Sequence, residues 1–240
     1  MSNLTLPKPI IRTKRSIAEA FVLATTLTTV LSLITLQTSG QINWIETASV
    51  YFSFACTWLC TRQVRFNYVL GIISTTLLAI TFWQSNLLGS MVLNIYLIPT
   101  VIYGWFIWGK DTNPKPVEHV KPKSLIQYAF FTTITWYGAY LIITHFDGSM
   151  GRLDGWLLVG SVLAQFLLDR KKIETWVVWI LVNIVSVYVY WQAGLHLLAL
   201  QFGLFLVNAC IGYYQWNKTL KTQNLVSENE TKTEKTASND

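Results

Sequence analysis

The sequence predicts an all-α integral membrane protein with eight transmembrane helices, an N-terminal extra helix followed by a 3+1+3 core with two parallel three-helix repeats. Three observations predict it. The 240 residues are 52% apolar and only 12% charged, about half the charge fraction of a soluble domain. Charge-free runs bounded by charged or turn residues divide the chain into eight segments. The sequence also matches itself at one fixed offset, which brings Trp108 onto Trp216.

The segments are 17–36, 44–60, 67–83, 88–108, 124–144, 155–168, 175–191 and 195–216. All but 155–168 reach or approach the roughly 17–25 residues a helix needs to cross a bilayer. Eight crossings place alternate loops on opposite sides, and seventeen of the eighteen basic residues then fall on one side, with Arg152 alone on the other. By the positive-inside rule that side is the cytoplasm, so both termini are expected there. The net charge of +6 is then loop charge and needs no nucleic acid. The basic segment 1–16 precedes an expected anchor helix at 17–36. This run is longer than a signal-peptide core, and no A-x-A-like cleavage site follows it. Residues 221–240, rich in Lys, Glu, Thr, Ser and Asn, are expected to be a disordered cytoplasmic tail.

No motif for hydrolysis is present. Gly109-Lys110 lacks the spacing of a phosphate loop, and neither HExxH nor GxSxG occurs. Cys56, Cys60 and Cys210 lie in apolar runs and read as packing residues rather than metal or redox ligands. No enzyme activity, cofactor or metal is expected.

The self-match aligns F82-WQSNLLG with Y190-WQAGLHL, Gly104 with Gly212, Lys110 with Lys218, Leu59 with Leu167 and Arg62 with Arg170. A constant offset over this distance defines two units, 43–110 and 155–218, separated by a linker helix at 124–144. Equivalent helices lie four crossings apart, so the units run parallel. Such repeats are a transporter architecture with a site near the mid-membrane junction, although a duplicated bundle without a pathway satisfies the same pattern.

Polar residues inside the spans bear on that choice. Glu19, Glu46 and Asp154 lie near span ends, and no Asp, Glu, Lys or Arg lies mid-span, which disfavours ion-coupled transport. Amides, in contrast, recur at helical spacing. Gln201, Asn208 and Gln215 share one stripe, Trp176 and Asn183 share another with Trp179 flanking, and Asn94 aligns with Val101 and Trp108, with Trp105 beside them. An unpaired amide facing lipid is costly, so these should point inward. They can be interhelical glue, with Trp108, Trp191 and Trp216 as interfacial anchors. Alternatively Trp176, Trp179 and Asn183 line a cage for a flat, cationic ring.

The stretches W44-IE, N67-YVLGI, L78-AITFWQ, I102-YGW and R170-KKIETWVVWILVNIVSVYVYWQAGLHLLALQ resemble the PnuC family of bacterial nicotinamide riboside transporters over roughly residues 43–218. The resemblance implies a 3+1+3 fold like a full-length relative of the SWEET sugar carriers, and a homotrimer in the inner membrane. It implies facilitated diffusion of nicotinamide riboside for NAD biosynthesis, with a cytosolic kinase trapping the product downstream. It also implies that Trp176, Trp179 and Asn183 line the substrate site, with Asn94, Trp105, Gln201 and Asn208 as further candidates. Relatives on this fold carry thiamine or riboflavin, so another vitamin stands as the alternative, and a non-transporting scaffold or receptor as a third reading.

Overall fold

The computed structural model describes residues 9–84, 88–110, 113–145, 151–192 and 196–237. The expectations for residues 1–8, for the turns at 85–87 and 193–195 that end the WQ motifs, and for the side chain of Arg152 lie outside the described residues. Eight helices follow one another: α1 (Pro9–Ser39), α2 (Trp44–Thr61), α3 (Asn67–Gln84), α4 (Leu88–Ile107), α5 (Pro122–His145), α6 (Gly151–Asp169), α7 (Glu174–Gln192) and α8 (His196–Ala237). A two-residue hairpin, β1 (Gly109–Lys110) with β2 (Asn113–Pro114), joins α4 to α5.

Local chemistry explains the boundaries. Asn43 caps α2, its Oδ1 accepting the Ile45 and Glu46 N–H groups at 3.0 and 3.2 Å, which pairs two donors a helix start leaves open. Threonines within the helices return their hydroxyls to the preceding turn, as Thr25 does to Phe21 O and Thr133 to Ala129 O. A hydroxyl paired in this way tolerates an apolar surround. Pro99 inside α4 supplies no N–H to the Ile95 carbonyl.

Three expected boundaries shift. The first helix, expected from 17, begins at Pro9. The short sixth span begins earlier, at Gly151. The tail expected to be disordered from 221 continues α8 as helix to Ala237. Residues 218–237 contain neither Gly nor Pro, so an established helix propagates at little cost per residue.

Only Thr13–Thr38 is, among the described residues, apolar over a full crossing length; Asn67–Thr81, Leu93–Ile107, Gly155–Asp169 and Glu174–Val189 are shorter apolar runs. The bundle's outer surface outweighs that count. Phe106, Ile126, Phe131 and Tyr214 are each well over half exposed, and a belt of large apolar side chains facing outward is what a lipid solvent selects.

The repeat holds hydrogen bond by hydrogen bond. After α2, Gln63 turns the chain with a φ of 59°, and after α6 its counterpart Lys171 does so with a φ of 52°. Val64 N–H reaches Leu59 O at 3.0 Å, and Lys172 N–H reaches Leu167 O at 2.9 Å. Tyr68 packs on Gly104, and Trp176 on Gly212. Within a unit α2, α3 and α4 pack in sequence, as do α6, α7 and α8, and the units meet where α2 touches α8 and α4 touches α6. The N-terminal helix continues this register. α1 packs on α2, and α5 packs on α6, with Arg15 matching Lys123, Ser16 matching Ser124 and Thr25 matching Thr133 at the same offset.

At Gly104 a Cβ would collide with the Tyr68 ring and the Asp169 carboxylate, and at Gly212 it would sit 2.6 Å from the Trp176 ring. Gly104→Ala and Gly212→Ala should each lower stability by roughly 1–3 kcal/mol, as overpacking does. Gly138→Ala, where nothing lies within 4 Å of the added atom, should be neutral; thermal unfolding in detergent measures all three.

Candidate functional site

The two units are clasped at the end of the bundle that carries the basic loops. Trp108 Nε1 donates to Leu168 O at 3.0 Å, and Trp216 Nε1 donates to Cys60 O at 3.1 Å. Trp108 lies just past α4 and Trp216 lies inside α8; each indole reaches the first helix of the other unit, and donors and acceptors are repeat counterparts. The rings interlock edge to face. Tyr68 and Trp108 centroids are 5.0 Å apart, Trp108 and Trp216 5.9 Å, and Trp176 and Trp216 5.4 Å. Trp108 and Trp216, expected as interfacial anchors, are therefore buried at 1% and 0% exposure. The indole N–H finds its partner inside the bundle rather than at the lipid headgroups. Trp191, at 61% exposure, keeps the outward setting of an anchor.

A buried carboxylate flanks the clasp. Asp169 Oδ1 accepts Tyr68 O–H at 2.9 Å and a Gln165 Nε2 hydrogen at 2.8 Å, tying α3 to α6. Asp169 lies one residue beyond the apolar run 155–168, so in sequence it reads as loop charge. The pairing of Tyr68 with Trp176 at the repeat offset is the signal that could have revealed it.

The α4–α5 connection is stitched over the α6–α7 turn. Glu118 N–H bonds Lys171 O and Ile173 N–H bonds Glu118 O, both at 3.1 Å. Lys172 Nζ holds Glu118 at 2.6 Å, and Glu174 takes the Val120 N–H at 3.0 Å while facing His119 Nδ1 at 2.9 Å.

The candidate residues separate by height. Trp176 belongs to the clasp, its ring on Gly212. Trp179 is half-buried one turn further in, packed against the same cluster. Asn183 is buried, about 10 Å along α7 from Trp176 at 1.5 Å per residue. Gln201 and Asn94 are buried on α8 and α4. Asn208 donates from Nδ2 to Thr57 O at 3.2 Å, so it links α8 to α2. Trp105 lies at the basic end, its ring 3.8 Å from the Arg65 guanidinium carbon and its carbonyl bonded by Arg65 Nε at 2.7 Å. Trp176 Nε1 and Asn208 Oδ1 are buried and unmatched within the described residues. Cys56 and Cys60 pack inside the bundle, whereas Cys210 is exposed on its surface.

Paired parallel repeats, an apolar exterior and inward amides beneath the clasp at the basic end are the features of a polytopic membrane transporter. The chain belongs to the nicotinamide mononucleotide transporter family, whose model matches residues 43–218. It is 31% identical over 190 residues to the nicotinamide riboside transporter PnuC of Haemophilus influenzae, a match covering 76% of this chain and 83% of that protein. It is 24% identical over 205 residues to PnuC of Escherichia coli K12, covering 73% and 86%. A crystal structure of the vitamin B3 transporter PnuC superposes with a TM-score of 0.68 at 21% identity, over 85% of this chain and 92% of that one, and establishes the shared fold.

The hydrogen bond from Lys172 holds the Glu118 carboxyl below its ordinary value of 4.5, burial opposing it and the charges of Lys172, Lys115 and Lys121 adding to it. A lowered carboxyl stabilises the fold above its unfolded value and loses that contribution as pH falls through the folded one. Glu118→Gln should therefore cost less than about 1 kcal/mol at pH 7, as an exposed pair does, and nothing near pH 3; parallel melts at the two pH values test this.

Proposed function

We propose that the chain carries nicotinamide riboside across the bacterial inner membrane by facilitated diffusion, with the basic end and both termini in the cytoplasm. The observation that carries this reading is the set of buried amides on α4, α7 and α8 within spans that have no mid-membrane charge. The riboside presents a cationic aromatic ring, a carboxamide and ribose hydroxyls. Trp179 offers a ring face to the first, and the Asn and Gln side chains both donate and accept for the others. The unmatched Trp176 Nε1 and Asn208 Oδ1 are a donor and an acceptor that a bound ligand can satisfy, relieving roughly 1–3 kcal/mol each.

The family takes its name from the mononucleotide, which adds a phosphate. A phosphate at mid-depth calls for Arg or Lys, and α3, α4 and α7 place none there. That favours the riboside. Thiamine, the rival cation, lacks the ribose hydroxyls and the carboxamide that the amides suit. Net uptake without ion coupling requires a sink, which a cytosolic kinase supplies without contacting the carrier. A homotrimer and alternating access of the two units follow from the family resemblance and the repeat.

Calorimetric titration of the purified protein should give saturable binding of nicotinamide riboside and none of thiamine or riboflavin. Asn183→Leu should abolish binding in a protein that still folds. Trp179→Phe should weaken binding modestly and Trp179→Ala by roughly tenfold or more, the weight of one stacked ring. Normal binding by Asn183→Leu would place the site elsewhere.

A further inference from the structure

The repeat is broken at one pair of arginines. Arg62 lies 4.7 Å over the Trp58 ring and is held by Glu19 of α1 at 2.8 Å. Its counterpart Arg170 lies 3.6 Å over Phe166, the counterpart of Trp58, and 5.7 Å from the Tyr103 ring. Among the described residues no carboxylate lies within 4.0 Å of Arg170; its bond is a 3.4 Å contact to Phe166 O on its own helix. Glu19 has become Gln127 on α5, neutral and exposed.

The adjoining space differs too. Between α2 and α8 the rings of Phe54 and Phe205 meet at 5.2 Å. Between α4 and α6 the equivalent position is a crevice of about 370 Å³, walled by Tyr96, Leu97, Pro99, Tyr103, Val162 and Phe166, with Arg170 at its basic end. Asp169 also lines it, but its Oδ1 is taken by Tyr68 and Gln165. Burial lowers the Lys115 ammonium below its usual value, Lys172 and Arg170 push it the same way, and Glu118 opposes them. Glu118 is itself bound to Lys172, and the carboxylate facing Arg170 is Asp169, which makes no ion pair with it within 4.0 Å and whose Oδ1 is committed to Tyr68 and Gln165.

We propose that this crevice binds an anionic phospholipid, with the phosphodiester on Arg170 and an acyl chain along the α4–α6 wall. Stacking on Phe166 occupies a face of the guanidinium and leaves its N–H edge for a phosphate. Arg170 lines the crevice at the basic end, cytoplasmic in the orientation proposed above, where anionic lipid and basic side chains meet.

The test is native mass spectrometry of the full-length protein with phosphatidylglycerol or phosphatidylcholine added. The expected result is roughly fivefold more phosphatidylglycerol retained, the weight of one interfacial basic residue. Arg170→Gln should erase the preference. Gln127→Glu should erase it as well, by giving Arg170 the carboxylate that Glu19 gives Arg62, with an unchanged melting temperature showing that the fold is intact. Lys123→Gln should leave the preference alone. Three results would overturn the proposal: a preference that survives both Arg170→Gln and Gln127→Glu, displacement of the lipid by millimolar inorganic phosphate, or a change in protomer number in Arg170→Gln with lipid retention unaltered.

Discussion

Two indole N–H groups, those of Trp108 and Trp216, each take the second lone pair of a carbonyl that already accepts a backbone N–H closing its own helix. Leu168 O receives Lys171 N–H as well as Trp108, and Cys60 O receives Gln63 N–H as well as Trp216. Because donor and acceptor sit in opposite units, neither unit can pair its own buried indole N–H alone. In a low-dielectric surround an unpaired indole or carbonyl costs about as much as a lost hydrogen bond, so the units are mutually dependent at this end. Around these bonds Tyr68 and Trp176 seat on glycines, and their lack of a Cβ sets how closely α3 approaches α4 and α7 approaches α8.

The clasp constrains any route through the bundle. The buried amides lie deeper than the aromatic ring set, so a solute that reaches Asn183 leaves toward the basic end only after the rings separate. In the proposed cycle those two hydrogen bonds and the Trp108–Trp216 edge-to-face contact are what breaks, since the Tyr68–Trp108 and Trp176–Trp216 pairs each lie within one unit. Edge-to-face pairs contribute roughly 0.5–1.5 kcal/mol each, and a net hydrogen bond about 1 kcal/mol. A barrier of a few kcal/mol is one that a ligand's differential affinity can offset. The Glu118–Lys171 backbone pairing and Gln63 Nε2 on Thr219 Oγ1 at 3.0 Å join the same units from the loop side, so the basic end behaves as one closure.

Much of this was legible in the sequence. The limits of α2, α3, α4, α5 and α7 agree closely with the expected runs because charged and turn residues bound each of them, and the offset that aligned Gly104 with Gly212 is the one that relates the two halves of the clasp. The setting of Trp108 and Trp216 was not legible, since a tryptophan near a span end has the same sequence context whether it faces headgroups or a neighbouring helix. Asp169 was hidden by its place just past an apolar run. The helical tail was hidden because composition alone does not record that a helix already formed upstream. Matching Arg15 to Lys123 would have required trusting a few identities inside otherwise apolar segments.

In the proposed cycle the two units are separable bodies whose basic-end closure opens with substrate. Spin labels at Arg15 and Lys123, equivalent positions on α1 and α5, report it directly by electron–electron distance in a background with Cys56, Cys60 and Cys210 replaced by alanine. The account predicts one short distance without ligand and a second, longer population on adding nicotinamide riboside. A single distance distribution, unchanged at saturating riboside in a protein shown to bind it, would contradict the claim.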